Sequence, residues 1–227
     1  MSLKKKITKE KGASDFLAYY IHQPIENKLV SWLVHTPFTP NQATILTNIV
    51  AYAVTYLFLT GRLIEGSILS FIVGIMDGID GKLARAKDMA TNLGKMEHAF
   101  DLLYEFSWIG ALSYYFTQTT GSATPLIYGL SIIVLVSFYR MVYDTFGKAL
   151  GTSFDNFAPF ERKFRRIAGR RNLYNIHILA FILISRPEQS LITILAHAAI
   201  TAVIYSIRVG YHLSVLDKKG KHRGKTN

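Results

Sequence analysis

The chain has 227 residues, a length suited to one domain; half of them are hydrophobic, 18% are charged and the net charge is +11. An ordinary soluble domain carries more charge than this. With no cysteine in the sequence, a disulfide framework, a thiolate metal site and a cysteine nucleophile are excluded.

The excess of basic residues fits either nucleic-acid binding or the cytoplasmic side of a membrane protein. Lysines and arginines crowd into short segments between long apolar runs, which predicts membrane lipids as the partner and no nucleic acid. The basic stretch Met1 to Lys11 is not followed promptly by an apolar segment and small-residue cleavage site, so no cleavable signal peptide is expected.

The first element expected is a helix over residues 16–35. Pro24 suits a first helical position, and Ile25, Leu29, Trp32 and Leu33 share a face that leaves Glu26, Asn27 and Lys28 off it. It reads as an amphipathic helix lying on the cytoplasmic surface. Six apolar stretches follow, at residues 41–60, 63–80, 96–117, 125–147, 173–185 and 191–213, most of them near the ~20 residues a helix needs to cross a bilayer. Lysines and arginines concentrate in the N-terminal segment, in residues 82–95, in residues 148–171 and in the C-terminal segment. By the positive-inside rule these four regions are cytoplasmic, a parity that six spans satisfy. The expected fold is therefore an all-α, multi-pass protein of the cell membrane. Residues 1–36 form a basic tail and surface helix, residues 37–215 a six-helix transmembrane catalytic domain, and residues 216–227 a basic cytoplasmic tail, of which Lys218 to Asn227 is expected to be disordered and drawn to anionic lipid.

The chemistry concentrates at the end of the second stretch, in Met76-Asp-Gly-Ile-Asp-Gly-Lys-Leu-Ala-Arg85. Acids at the end of an apolar segment are costly unless compensated. Asp77 and Asp80, three apart, share a helix face with Gly74, Gly81 and Ala84. That face joins two candidate metal ligands to a strip without bulk, where a planar base or a pyrophosphate can approach the backbone. Arg85, one turn past Gly81, can hold a phosphate. The third stretch opens with Glu97 and Asp101, four apart and on the same membrane side. Four carboxylates converging from neighbouring antiparallel helices would repel unless a hard divalent cation relieved them. Oxygen ligands fit Mg²⁺ or Mn²⁺, and four acids have room for two ions.

Asp77-x-x-Asp80-Gly81-x-x-Ala84-Arg85, followed after eight residues by Gly94, resembles the signature of the CDP-alcohol phosphotransferases, and Pro40-Asn41-x-x-Thr44 is similar to the family's upstream segment. The second half of the signature departs from the pattern. Strict counting from Gly94 puts His98 and Leu102 where the family has its last two aspartates, and Leu102 cannot act as a base. Glu97/Asp101 keeps the four-residue spacing one position early, and Asp101/Glu105 keeps it one turn late. The first register is preferred, with a site containing His98 as a third alternative.

The resemblance implies a homodimeric enzyme of phospholipid or polyol-phosphodiester synthesis, with its active site and both termini in the cytoplasm. The donor is a CDP-alcohol, such as a CDP-diacylglycerol-like lipid, and the acceptor is a polar alcohol. Asp77, Asp80, Glu97 and Asp101 hold the metal, and Asp101 also takes the proton of the acceptor hydroxyl. Asn41, Thr44, Asp77, Gly81, Ala84 and Arg85 meet the CDP moiety. Arg171, with Arg140 in reserve, binds the acceptor, since the planar guanidinium fork suits phosphate. The competing expectation is an ion-coupled transporter. It is disfavoured because the acids gather at one membrane face rather than at the midplane.

Overall fold

The computed structural model describes residues 14–90 and 96–223. They are arranged as helices joined by short connections. A π-helical turn, Ala18–His22, runs directly into α1, Gln23–Leu33. The long helices are α2 (Pro40–Leu59), α3 (Leu63–Ala86), α4 (Glu97–Thr120) and α5 (Thr124–Leu150). Two short helices, α6 (Phe154–Phe157) and α7 (Pro159–Phe164), lead to α8 (Arg171–Leu183) and α9 (Gln189–Arg223).

Local chemistry sets several of the boundaries. Thr39, in an extended conformation, caps α2. Its hydroxyl accepts the Gln42 amide at 3.3 Å, and the Gln42 side chain accepts the Thr39 amide at 2.8 Å. This reciprocal capping box, with Pro40 in the first turn, fixes where α2 begins. Helices α4 and α5 stop at Gly121 and Gly151, both with φ of +66°, a left-handed conformation that glycine adopts without cost.

Helix α4 packs on α2 and α5, α3 packs on α1, α2 and α8, and α9 closes against α5 and α8. Trp108 and Tyr104 of α4 are fully buried, and the Trp108 indole N–H donates to the Ala51 carbonyl at 2.8 Å. Apolar side chains also cover the outside. Ile45, Ile49, Tyr56, Leu130, Val134, Met141, Val203 and Ile207 are all exposed, a pattern suited to lipid rather than water.

Among the described residues, three helical stretches are both long and apolar enough to cross a membrane: Pro40–Leu59, Thr124–Leu150 and Gln189–Lys218. Helices α3 and α4 have 24 residues each, a length of about 36 Å, but they carry the acids. Helix α8 has 13 residues and is about 20 Å long, less than the ~30 Å hydrocarbon core.

A second small core of Val30, Ala43, Ile79, Leu83 and Ala86, flanked by Leu29 and Leu33, fastens α1 to α3 and to the start of α2. The face that α1 buries differs from the expected one. Leu29 and Leu33 turn inward, but Ile25 is exposed and Trp32 is 70% exposed, while His22, Glu26 and Val30 are buried. Helix α1 is apolar on two sides, and the side that meets α3 is rotated from the side that hydropathy selects. The tail expected to be disordered from Lys218 is corrected as far as Arg223, because α9 continues through it as helix; Gly94, the residues beyond 223 and the first 13 residues lie outside the described residues.

Candidate active site

Helix α3 does not stop at Asp80, where the apolar stretch ends. It continues to Ala86, so the whole stretch from Asp77 to Arg85 is helical and the spacing argument applies throughout. The first turns of α4 lie across from it.

Asp80 is 3% exposed. Its Oδ2 accepts the Thr44 hydroxyl from α2 at 2.7 Å, and its Oδ1 accepts the Gly81 amide at 2.5 Å. Asp77 is tied to a different element. Its Oδ2 accepts the Arg171 guanidinium at 2.8 Å, and its Oδ1 receives the Tyr104 hydroxyl at 3.4 Å. Arg171 also donates to that hydroxyl and lies over the Tyr104 ring, 4.9 Å from its centre. Tyr104 thus joins the acid to the arginine, and a buried phenol with both bonds made is held in one orientation.

The α4 acids meet these two. The Glu97 carboxyl comes within hydrogen-bonding reach of Asp80, and the Asp101 carboxyl within reach of Asp77. His98, whose ring is 84% exposed, sits at the rim with Nδ1 3.7 Å from Asp101 Oδ2. Glu97, His98 and Asp101 each offer a ligand atom within 4.8 Å of the others. Carboxyl groups paired face to face across two helices need a shared proton or a cation between them. The oxygen-only donors of the two pairs suit a hard divalent ion, so the residues present fit Mg²⁺ or Mn²⁺. Glu105, the acid of the later register, goes elsewhere: it is buried, and one of its oxygens forms an ion pair with Arg140 of α5.

Around the acids the small-residue strip divides. A side chain added at Gly81 would meet only the Arg85 guanidinium, at 3.6 Å, whereas one added at Gly74 would strike the His22 ring at 2.7 Å. Gly81 and the half-buried Ala84 leave space. The expectation that Gly74 does the same is corrected, because His22 and Asn172 fill that place. Arg85 lies beside the opening with Nε and Nη2 buried and lacking hydrogen-bond partners among the described residues. Buried guanidinium donors without partners are costly unless an acceptor arrives. Asn41 is exposed in the first turn of α2, one turn before Thr44.

Of the two adjacent arginines at the start of α8, Arg171 faces the acids, and Arg170 turns to Asp155 at 3.3 Å, an acid that Arg165 also holds at 2.7 Å. Outside the long helices, burial holds the His22 imidazole below its usual range, although the Asp15 charge works the other way. The sequence reading passed over Tyr104, Glu26 and Lys82. A tyrosine three residues past Asp101 on the same helix face was the available signal for the first.

The family model for CDP-alcohol phosphatidyltransferase matches residues 38–203. A protein named bifunctional IPC transferase and DIPP synthase from Aquifex aeolicus is 30% identical over 106 residues, which is 45% of this chain and 24% of that protein. Its namesake from Thermococcus kodakarensis is 28% identical over 219 residues, 95% of this chain and 48% of that protein. The chain therefore spans about half the length of these curated relatives or less. Among solved structures, the Mycobacterium tuberculosis phosphatidylinositol phosphate synthase (PgsA1) with CDP-DAG bound superposes with a TM-score of 0.65 at 19% identity, covering 82% of this chain and 94% of that one. The same enzyme in complex with manganese and citrate gives 0.63 at 19% identity, covering 81% and 88%. At this identity the likeness is one of fold.

Proposed function

The chain belongs to the CDP-alcohol phosphatidyltransferase family, and we propose that it transfers a phosphate-linked alcohol from a CDP-alcohol to the hydroxyl of a polar acceptor, releasing CMP. The observation that carries this reading is the cross-helix meeting of Asp77 with Asp101 and of Asp80 with Glu97.

Asp77, Asp80, Glu97 and Asp101 would hold Mg²⁺ or Mn²⁺, in one or two sites. Bound there, the metal neutralises charge on the donor's pyrophosphate. Thr44 fixes Asp80 through its 2.7 Å hydrogen bond, and Arg171 and Tyr104 fix Asp77. The space over Gly81 and Ala84, with Asn41 in the first turn of α2, receives the cytidine, and the unpartnered nitrogens of Arg85 take a phosphate oxygen. Arg171 and Arg140 face the acceptor side. Asp101 accepts the proton of the acceptor hydroxyl. The hydroxyl oxygen forms a bond to the phosphorus that bears the donor alcohol, and the bond from that phosphorus to the CMP oxygen breaks. The protein's part is to position the groups and to place charge in advance.

A CDP-diacylglycerol-like lipid is the proposed donor, supported by the CDP-DAG complex of the M. tuberculosis enzyme. The proposed membrane arrangement has six spans, an interfacial N-terminal helix and a cytoplasmic active site in a homodimer. The exposed apolar sides of α2, α5 and α9 and the placement of basic segments support the spans and their orientation; the dimer rests on the family. In this arrangement the short α8 spans only in company with its neighbours. The test is CMP release by purified protein supplied with Mn²⁺ or Mg²⁺, a panel of CDP-alcohols and several polar acceptors. CMP formed only with metal, donor and acceptor together supports the reading, and metal-independent release or none with any pair contradicts it.

A further inference from the structure

Helix α3 shows its acids to α2, α4 and α8, and on another side it meets α1. There Gly74, Gly78 and Lys82 recur every four residues, one above the other, and His22 and Glu26, also four apart, lie against the two glycines. A Cβ at Gly78 would fall 2.2–2.3 Å from the Glu26 carboxyl atoms, so the glutamate rests directly on the α3 backbone. From that position Glu26 Oε2 takes the Lys82 ammonium at 2.9 Å, and the same ammonium donates to Asn27 Oδ1 at 2.5 Å. The two side chains are 6% and 4% exposed. A buried ion pair adds little net stability, because desolvation offsets the attraction, but it tolerates few geometries. This one clamps α3 between Asp77 on one side of Gly78 and Asp80 two residues before Lys82.

We infer that Glu26, acting through Gly78 and Lys82, is a positioning residue that fixes the rotation of α3 about its axis and thereby the directions in which Asp77 and Asp80 present their carboxylates. The inference rests on the metal-site reading given above. The surface helix is then part of the catalytic apparatus without touching substrate. Rotating α3 by a fraction of a turn would leave the fold intact but separate the carboxylate pairs that α3 makes with α4.

The test uses the full chain in detergent or nanodiscs and measures CMP release against Mn²⁺ concentration, alongside thermal unfolding. Removing one charge strands the other, so the informative variant is the double substitution E26Q/K82M, which keeps both side-chain volumes and leaves no buried charge. It is expected to fold normally and to need about tenfold more Mn²⁺ or higher for half-maximal activity, an effect of the size seen when groups behind metal ligands are lost. Should the double variant fail to fold, Gly78→Ala decides in the same way: its methyl displaces Glu26 and should raise the Mn²⁺ requirement in the wild-type background but not in a Glu26→Ala background. Unchanged half-saturation in a folded variant, with the wild-type metal-dependent, overturns this inference alone. Wild-type activity without divalent metal overturns the metal reading and this inference with it.

Discussion

The Asp101 carboxyl of α4 comes within hydrogen-bonding reach of Asp77 of α3, one helical turn from the place where Glu97 reaches Asp80. Two acids three apart on one helix are matched by two acids four apart on the other, so each α3 acid has its own partner.

Neutralising either the buried Asp80 or Asp101, the proposed proton acceptor, should stop the reaction without unfolding the chain. Asp80→Asn and Asp101→Asn keep shape and remove charge. CMP release should fall by at least about a hundredfold in each, the scale of losing a general base. Circular dichroism and thermal unfolding should stay close to wild type.

The two registers for the α4 acids separate by substitution. Glu97→Gln should be nearly inactive. Glu105→Gln should keep most of its activity and lose stability instead, because the half-buried Arg140 is left with a weaker partner. Steady-state rates and unfolding temperatures of the two proteins check this, and the opposite assignment of activity would favour the later pair.

Tyr104→Phe removes one oxygen from the link between Asp77 and Arg171 and leaves the packing on Trp108. Hydrogen bonds to charged groups contribute about 1.5–3 kcal/mol, so kcat/KM should fall about 10- to 100-fold. Most of the change should be in KM for the acceptor if Arg171 binds it.

Burial lowers the His22 pKa in the folded state from an ordinary 6.5. The unfolded chain therefore binds more protons than the folded one as the pH drops below that value, and stability falls with it. The contribution is complete above about pH 6.5 and is lost as the pH descends toward the lowered folded pKa. Thermal unfolding followed from pH 7.5 to 5 should show this slope in wild type and a shallower one in His22→Gln.

The parts of the fold legible in the sequence are those fixed by one-dimensional signals. Helices α2 and α5 follow from the apolar stretches at residues 41–60 and 125–147, and the stretch of α3 that carries Asp77 and Asp80 follows from its spacing. Rotations are less legible. Tyr19, Tyr20, Ile25 and Trp32 are exposed while Val30 is buried, and hydropathy does not distinguish a side chain facing lipid from one facing protein when both are apolar. Glu26 lies off the apolar face by periodicity, yet it is buried because Gly78 gives it room and Lys82 gives it charge. Spacing alone also left Glu97/Asp101 and Asp101/Glu105 open, since either choice keeps four residues between acids. The Arg140 partner that draws Glu105 away comes from another helix.

In the proposed site, carboxylates from α3 and α4 share a divalent ion. Mn²⁺ binding to the purified chain, titrated by electron paramagnetic resonance with a CDP-alcohol present, tests it most directly. Wild-type protein should bind Mn²⁺, and Asp80→Asn and Glu97→Gln should each weaken that binding by about tenfold or more. Wild-type affinity retained in both variants would contradict the account.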